Sequence, residues 1–202
     1  MEVSEFIHRF VPASSSDHRT LLLLHGTGGD ENDLVPLGQT ILPGAAILSP
    51  RGRVLEGGMP RFFRRFAEGV FDLDNLREEA GLLASFVESS AKEFDFEPGQ
   101  VIGVGFSNGA NMAHSLMGLF PGLLSGAVLI RAMTTMPEFE YRGLEGERVF
   151  LSSGRFDPIL PNADAESLAR QLSTGGADVT HHWVDAGHNL TRGEIEVIQA
   201  WI

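Results

Sequence analysis

The chain of 202 residues is predicted to fold as an α/β protein, with a mostly parallel, twisted sheet and helices on both of its faces. Short, mostly apolar runs recur along the chain, as expected for strands that are buried on both faces of a parallel sheet. Segments of helical periodicity alternate with these runs, and the first of the runs stops at a glycine cluster. Strands that alternate with helices indicate a doubly wound sheet in one domain, residues 1–202.

The apolar runs and the helical patterns give the order of the elements. The predicted strands cover residues 20–25, 45–48, 100–106, 126–130, 148–151 and 179–184. The predicted helices cover residues 33–42, 72–94, 108–120, 164–172 and 192 to the C-terminus. In the longest helix Leu76, Ala80 and Leu83 recur at helical spacing, which indicates a face that docks on the sheet. Residues 6–11 are a candidate edge strand, and the Pro/Gly-rich residues 50–60 are predicted to form a loop over a site.

Composition excludes several classes of function. The 27 acidic residues outnumber the 15 Lys and Arg, and the net charge of −12 argues against binding to nucleic acid or to anionic membranes. There is no cysteine, which excludes disulfides and thiolate metal sites. No apolar stretch reaches the roughly 18 to 20 residues that a membrane span needs, and no signal peptide is evident. We therefore expect a cytoplasmic protein without stable membrane insertion.

The motif Gly105-Phe106-Ser107-Asn108-Gly109 lies between an apolar strand and a helical run. A G-x-S-x-G motif in this context is typical of a nucleophile elbow, in which the serine is exposed on a sharp turn at a helix N-terminus. The flanking glycines allow the strand and the helix to approach closely. The alternative is a glycine-rich turn in which Ser107 caps the helix.

Partners for Ser107 occur in the order that an α/β-hydrolase requires, acid before histidine. Asp157 follows the strand 148–151, and His188 follows the last strand. We predict Ser107 as nucleophile, His188 as general base and acid, and Asp157 as the group that orients the histidine ring. Asp185 is the competing acid, but its place on the same loop as His188 indicates a turn-forming residue.

The remaining histidines are predicted to be structural. His181 and His182 are adjacent in a strand, so their side chains face opposite sides of the sheet and cannot form a metal pair. His114 is two helical turns beyond Ser107, where helix packing is the simpler role, and His8 and His18 lie at the N-terminus. We expect neither a metal nor a cofactor.

An oxyanion hole needs two backbone N–H groups, one of them from the residue after the nucleophile, Asn108. The second candidate is the amide of Thr27 in the loop His25-Gly26-Thr27-Gly28-Gly29, whose glycines permit the amide to turn toward the site. The simpler interpretation of this loop is a tight turn.

Several segments together resemble the phospholipase/carboxylesterase family of serine hydrolases, most closely its small bacterial branch linked to hydroquinone or quinone stress. They are LLLLHGTGGDENDL, PRGRVLEGGMPRFFRR, GFSNGANMA, GRFDPILP and DAGHNL. The resemblance implies an α/β-hydrolase fold without a large cap domain, activity on acyl esters and a possible homodimer. It places the triad at Ser107, Asp157 and His188, and the oxyanion donors at Thr27 and Asn108.

The predicted function is a serine carboxylesterase that hydrolyses short-chain acyl esters through an acyl-enzyme intermediate. An acyl thioesterase or a lysophospholipase-type deacylase would use the same motifs, and a non-catalytic ligand-binding protein on the same fold would have little need for them. The candidate substrate-binding residues are Met59, Phe63, Arg131 and Met133, of which Arg131 departs from the family pattern. Each of the apolar ones could equally belong to the core.

Overall fold

The structure, a computed structural model, describes residues 6–202 and is built on a central seven-stranded sheet. Its eleven strands are β1 (His8–Val11), β2 (Thr20–Leu24), β3 (Ala46–Pro50), β4 (Val54–Glu56), β5 (Met59–Arg61), β6 (Arg65–Ala67), β7 (Val70–Phe71), β8 (Val101–Phe106), β9 (Gly126–Ile130), β10 (Arg148–Gly154) and β11 (Asp178–Val184). The order in the central sheet is β1-β3-β2-β8-β9-β10-β11. Within this central sheet only β1 is antiparallel to its neighbour, so the prediction of a mostly parallel sheet is confirmed.

Helices cover both faces of the sheet. They are α1 (Val35–Ile41), α2 (Leu73–Phe94), α3 (Asn108–Leu119), α4 (Asn162–Thr174) and α5 (Arg192–Trp201), with a short 3-10 turn at Pro98–Gln100. Apolar side chains of α2, α3 and α4 form one core cluster, and those of α1 and α5 belong to a second cluster. In residues 6–202, no helix has the combination of length and apolar character that crossing a bilayer requires.

Strand β2 shows why the central strands contain continuous apolar runs. Leu22 and Leu24 belong to the cluster on one side of the sheet, whereas Leu21 and Leu23 belong to the cluster on the other. All four are fully buried. Because successive side chains of a strand point to opposite faces, a sheet covered on both faces requires apolar residues at every position.

Residues 50–60 were predicted to form a loop. Instead, residues 50–71 contain two small antiparallel hairpins, β4 with β5 and β6 with β7. The first hairpin turns at Gly57 and Gly58, which both adopt positive φ, 58° and 85°. A Gly-Gly pair is a hairpin signal, since only glycine enters this region at little cost. The flanking strands are three residues long and partly exposed, so they lack the apolar runs that identified the core strands.

His114 on α3 is fully buried, in agreement with its predicted packing role. One ring nitrogen lies 2.7 Å from the Tyr141 hydroxyl and the other 3.0 Å from the Met133 carbonyl oxygen. Burial, only partly offset by the hydrogen bond to Met133, lowers the pKa of His114 to about 4. The folded protein therefore keeps this ring neutral at pH values where an exposed histidine is protonated.

Acidification should destabilise the protein through His114. As the pH decreases from 7 to 5, the unfolded chain, with an ordinary histidine pKa, binds a proton at this position that the folded state does not bind. This difference lowers the free energy of unfolding by about 2 kcal/mol over that range. Denaturant unfolding of the wild type and of His114→Gln at both pH values tests this expectation. The wild type should lose more stability on acidification than the variant, and equal losses would contradict it.

Candidate active site

Ser107 lies on the turn between β8 and α3, in a strained backbone conformation with φ 51° and ψ −114°. Its amide donates a hydrogen bond to the Ile130 carbonyl at the end of β9, 2.8 Å away. The turn depends on its glycines: a Cβ at Gly109 would lie 1.9 Å from the Leu24 carbonyl oxygen, and one at Gly105 would lie 2.5 Å from Ala110. The Ser107 side chain makes no capping bond to the helix, which argues against a purely capping role.

The structure brings Ser107, His188 and Asp157 into one hydrogen-bonded chain. Nε2 of His188 lies 3.0 Å from Oγ of Ser107, and Nδ1 lies 2.8 Å from Oδ2 of Asp157. The Asp157 side chain is fully buried, whereas the ring of His188 remains 23% exposed. Because an ionised carboxylate only accepts hydrogen bonds, it favours the tautomer with the proton on Nδ1, and Nε2 is then free to accept the serine proton.

The loop after β10 holds the Asp157 carboxylate in place. Oδ1 of Asp157 accepts hydrogen bonds from the amides of Ile159 and Leu160, at 2.9 and 3.1 Å. Asp185, the competing acid, is instead 77% exposed at its side chain and pairs with Arg155 at 3.2 Å.

The two predicted oxyanion residues are held by Arg61, the last residue of the first hairpin, and by Phe62, which follows it. Nη1 of Arg61 donates to Oγ1 of Thr27 at 2.6 Å, and the Phe62 amide donates to Oδ1 of Asn108 at 2.7 Å. Asn108 is the first residue of α3, so its amide has no partner within the helix and lies at the positive end of the helix dipole. The apolar and glycine patterns of the sequence contained no sign that Arg61 would bind the loop of Thr27.

A small cleft adjoins the Ser107 hydroxyl, with a cavity volume of about 30 Å³. The residues that line it come from six segments: Thr27, Arg61, Arg65, Glu68, Phe71, Ser107, Asn108, Asn111, Arg131, Met133, Ile159, Leu160 and His188. Met133 is fixed at its backbone by α3, since its amide donates to Oδ1 of Asn111 and its carbonyl contacts His114. Ile159 and Leu160 were not predicted, although their place directly after Asp157 puts them next to the site.

Two predicted substrate-binding residues lie elsewhere. Phe63 is fully buried and packs against Phe71, with the ring centroids 5.4 Å apart, so this assignment is corrected: the ring supports the wall of the cleft from behind. Met59 is 46% exposed, lies next to Gly28 in the loop that holds Thr27, and does not line the cleft. Apolar character alone could not separate these environments.

Arg131 lines the cleft, but its guanidinium group is bound to other groups of the protein. The side chain is fully buried and forms an ion pair with Glu194 at 2.7 Å. The prediction of Arg131 as a substrate-binding residue is therefore corrected, because its charge is already paired inside the protein.

The other histidines make structural contacts. His181 lies 3.0 Å from Oγ of Ser153, and His182 stacks on Phe150. Within residues 6–202 no group of three or more histidine or carboxylate side chains is arranged to hold a metal ion.

Comparisons with known proteins identify relatives over nearly the whole chain. A relative in Bacillus subtilis (strain 168), named as a hydrolase, MhqD, is 44% identical over 181 residues, which are 90% of each chain. The solved carboxylesterase of Bacillus cereus is 43% identical with a TM-score of 0.95, over 97% of this chain and 92% of that one. The carboxylesterase of Mesorhizobium loti is 29% identical with a TM-score of 0.90, over 99% and 98%. No protein-family model matches the chain.

The parallel sheet and the relatives define the protein as an α/β-hydrolase, and it is a carboxylic ester hydrolase. It belongs to the phospholipase/carboxylesterase family.

Proposed function

We propose that the protein is a serine carboxylesterase that hydrolyses short-chain acyl esters of small molecules through a covalent acyl-enzyme. The single observation that carries this proposal is the hydrogen-bonded chain from Asp157 through His188 to Ser107. A serine hydroxyl is a weak nucleophile at neutral pH, and an adjacent base that is itself oriented by a third group activates it.

In the first half of the reaction, Oγ of Ser107 attacks the ester carbonyl while Nε2 of His188 takes its proton. The amides of Thr27 and Asn108 donate hydrogen bonds to the oxyanion that forms. His188 then gives the proton to the leaving alcohol, which leaves Ser107 acylated. Asp157 keeps the ring in place and stabilises the imidazolium.

In the second half, water replaces the alcohol. His188 takes a proton from the water, the resulting hydroxide attacks the acyl carbonyl, and the carboxylic acid leaves as the proton returns to Ser107. A homodimer and a cytoplasmic location, both expected from the sequence, remain predictions.

Labelling with a fluorophosphonate probe, followed by matched oxygen esters and thioesters of the same acyl groups, tests the proposal. We expect covalent labelling and a higher kcat/KM for the oxygen esters. Preference for the thioesters, or for lysophospholipids, would favour the alternative deacylase functions that use the same triad. Absence of both labelling and turnover would favour a ligand-binding protein.

The size of the cleft supports a preference for short acyl chains. The two hairpins of residues 50–71 form one side of the cleft, but they are too small to enclose a long chain as a separate cap domain would. Methylene groups beyond the cleft would stay in water and contribute no binding free energy.

We therefore expect kcat/KM for p-nitrophenyl esters to be highest for acyl chains of roughly two to eight carbons, where each buried methylene still adds about 0.8 kcal/mol, and to fall for palmitate. Rates from acetate to palmitate, measured below the critical micelle concentration, test this. A maximum at palmitate would show that the hairpins or a second protein copy form a deep acyl tunnel.

A further inference from the structure

Every N–H group of the Arg131 guanidinium is used inside the protein. Nε donates to the Gly187 carbonyl at 2.9 Å, and Nη2 donates to the Asn189 carbonyl at 2.8 Å. Nη1 also donates a hydrogen bond to Oε1 of Glu194 at 2.7 Å, and Nη2 donates one to Oε2 at 2.9 Å. The remaining Nη1 donor lies 3.3 Å from the Ser152 carbonyl. Arg131 therefore binds both carbonyls that flank His188 in the sequence.

Glu194 is anchored equally well. Its carboxylate accepts hydrogen bonds from the Ser152 hydroxyl at 2.5 Å and from the Thr191 amide at 2.9 Å. The contact with Thr191 is half of a capping box that begins α5, so Glu194 fixes the helix start. Burial alone would raise the pKa of Glu194, but the hydrogen bonds from Arg131, Ser152 and Thr191 outweigh it and lower the pKa.

Arg131 also lies beside the nucleophile. It follows Ile130, whose carbonyl accepts the hydrogen bond from the Ser107 amide, and its own amide donates to the Ser152 carbonyl at 2.9 Å. Its φ of 57° is in the left-handed region, which a residue other than glycine seldom adopts. This strained residue therefore connects the strand end next to Ser107 with the loop that carries His188.

Resting on the proposed function, we infer that Arg131 and Glu194 are a pair of positioning residues for His188. By holding Gly187 and Asn189, the pair fixes the imidazole between Ser107 and Asp157. Stability alone gives little reason to keep it, because exchanging a whole buried ion pair for uncharged residues is often neutral or stabilising. Catalysis is more sensitive, since a misplacement of about 1 Å can cost on the order of a hundredfold in rate.

The double variant Arg131→Met/Glu194→Gln removes both charges together and leaves neither unpaired. Methionine carries a Cβ as arginine does, so the substitution at position 131 leaves the backbone strain at the left-handed φ unchanged. The matched control is Arg192→Met/Glu196→Gln, which removes an exposed ion pair of 3.5 Å from the same helix. For each protein the folding stability, the rate of fluorophosphonate labelling at Ser107, and kcat and KM for a short ester are measured.

We expect a folded double variant in which labelling and kcat fall by about 10- to 100-fold with little change in KM, and a control close to wild type. Wild-type labelling in the folded double variant would overturn the inference and leave the proposed function standing. If the double variant does not fold, Arg131→Lys replaces it, because an ammonium group keeps the charge but cannot reproduce the geometry of the guanidinium fork. A lysine variant with wild-type labelling would also overturn the inference.

The position of the ring can also be followed without any reaction. A hydrogen-bonded Nδ1 proton of His188 gives a downfield signal in the proton NMR spectrum of the protein, and the inference predicts its loss or broadening in the double variant. An unchanged signal would contradict the inference even if the wild type failed to react with the probe. Failure of the wild type to react would count against the proposed function alone.

Discussion

Ser107→Ala should lower kcat/KM for short acyl esters by roughly a millionfold, the scale seen when a triad nucleophile is removed. The hydroxyl makes its hydrogen bond to the partly exposed His188 and none to the helix, so its loss should leave the folding stability almost unchanged. Steady-state kinetics and thermal unfolding of the purified variant measure both quantities.

The chain contains a matched control for this variant. Oγ of Ser153 lies 3.0 Å from Nε2 of His181, the same spacing as in the pair of Ser107 and His188, but Ser153 is fully buried and does not line the cleft. Ser153→Ala should therefore retain kcat/KM within a few-fold, with some loss of stability from the buried hydrogen bond to His181. Equal activity of Ser107→Ala and wild type would exclude Ser107 as the nucleophile.

Asp157→Asn should lower kcat by about ten-thousandfold, because the amide would favour the wrong tautomer of His188. The carboxylate is buried, and both of its oxygens accept hydrogen bonds, from His188 and from the Ile159 and Leu160 amides. In asparagine one of these oxygens is replaced by an NH2 group, which donates and cannot accept a hydrogen bond. Measurement of kcat at saturating ester gives the effect on the reaction itself.

Asp185→Asn is the matched control, since it makes the same change in the exposed acid on the loop of His188. Its ion pair with Arg155 is on the surface, where such pairs contribute about 0 to 1 kcal/mol. We expect kcat within a few-fold of wild type for this variant. If Asp185→Asn were the more damaging change, Asp185 and not Asp157 would be the catalytic acid.

The order of elements and the position of Ser107 could be predicted because strong local rules apply to them. The core strands are centred on apolar runs, and the elbow requires glycines where Cβ atoms would collide with Leu24 and Ala110. Asp157 and His188 were identifiable because the fold places the acid and the histidine after particular strands. All of these signals lie within a few residues of the side chain concerned.

The walls of the cleft could not be predicted in the same way. Phe63 and Met59 lie four residues apart in the same segment, yet Phe63 is fully buried and Met59 is nearly half exposed. The partner of Arg131 is Glu194, which lies on α5, 63 residues further along the chain. Such long-range pairing depends on the packing of complete elements, and no spacing in the sequence encodes it.

Mass spectrometry of the enzyme during turnover tests the central claim most directly. The protein is mixed with p-nitrophenyl acetate, quenched in acid within the first turnover and digested, and its peptides are sequenced. We predict one acetyl group per chain, attached to Ser107, and none in Ser107→Ala. Rapid ester hydrolysis with the acetyl group on another residue, or with no covalent adduct under conditions that trap one in a known serine esterase, would contradict the account.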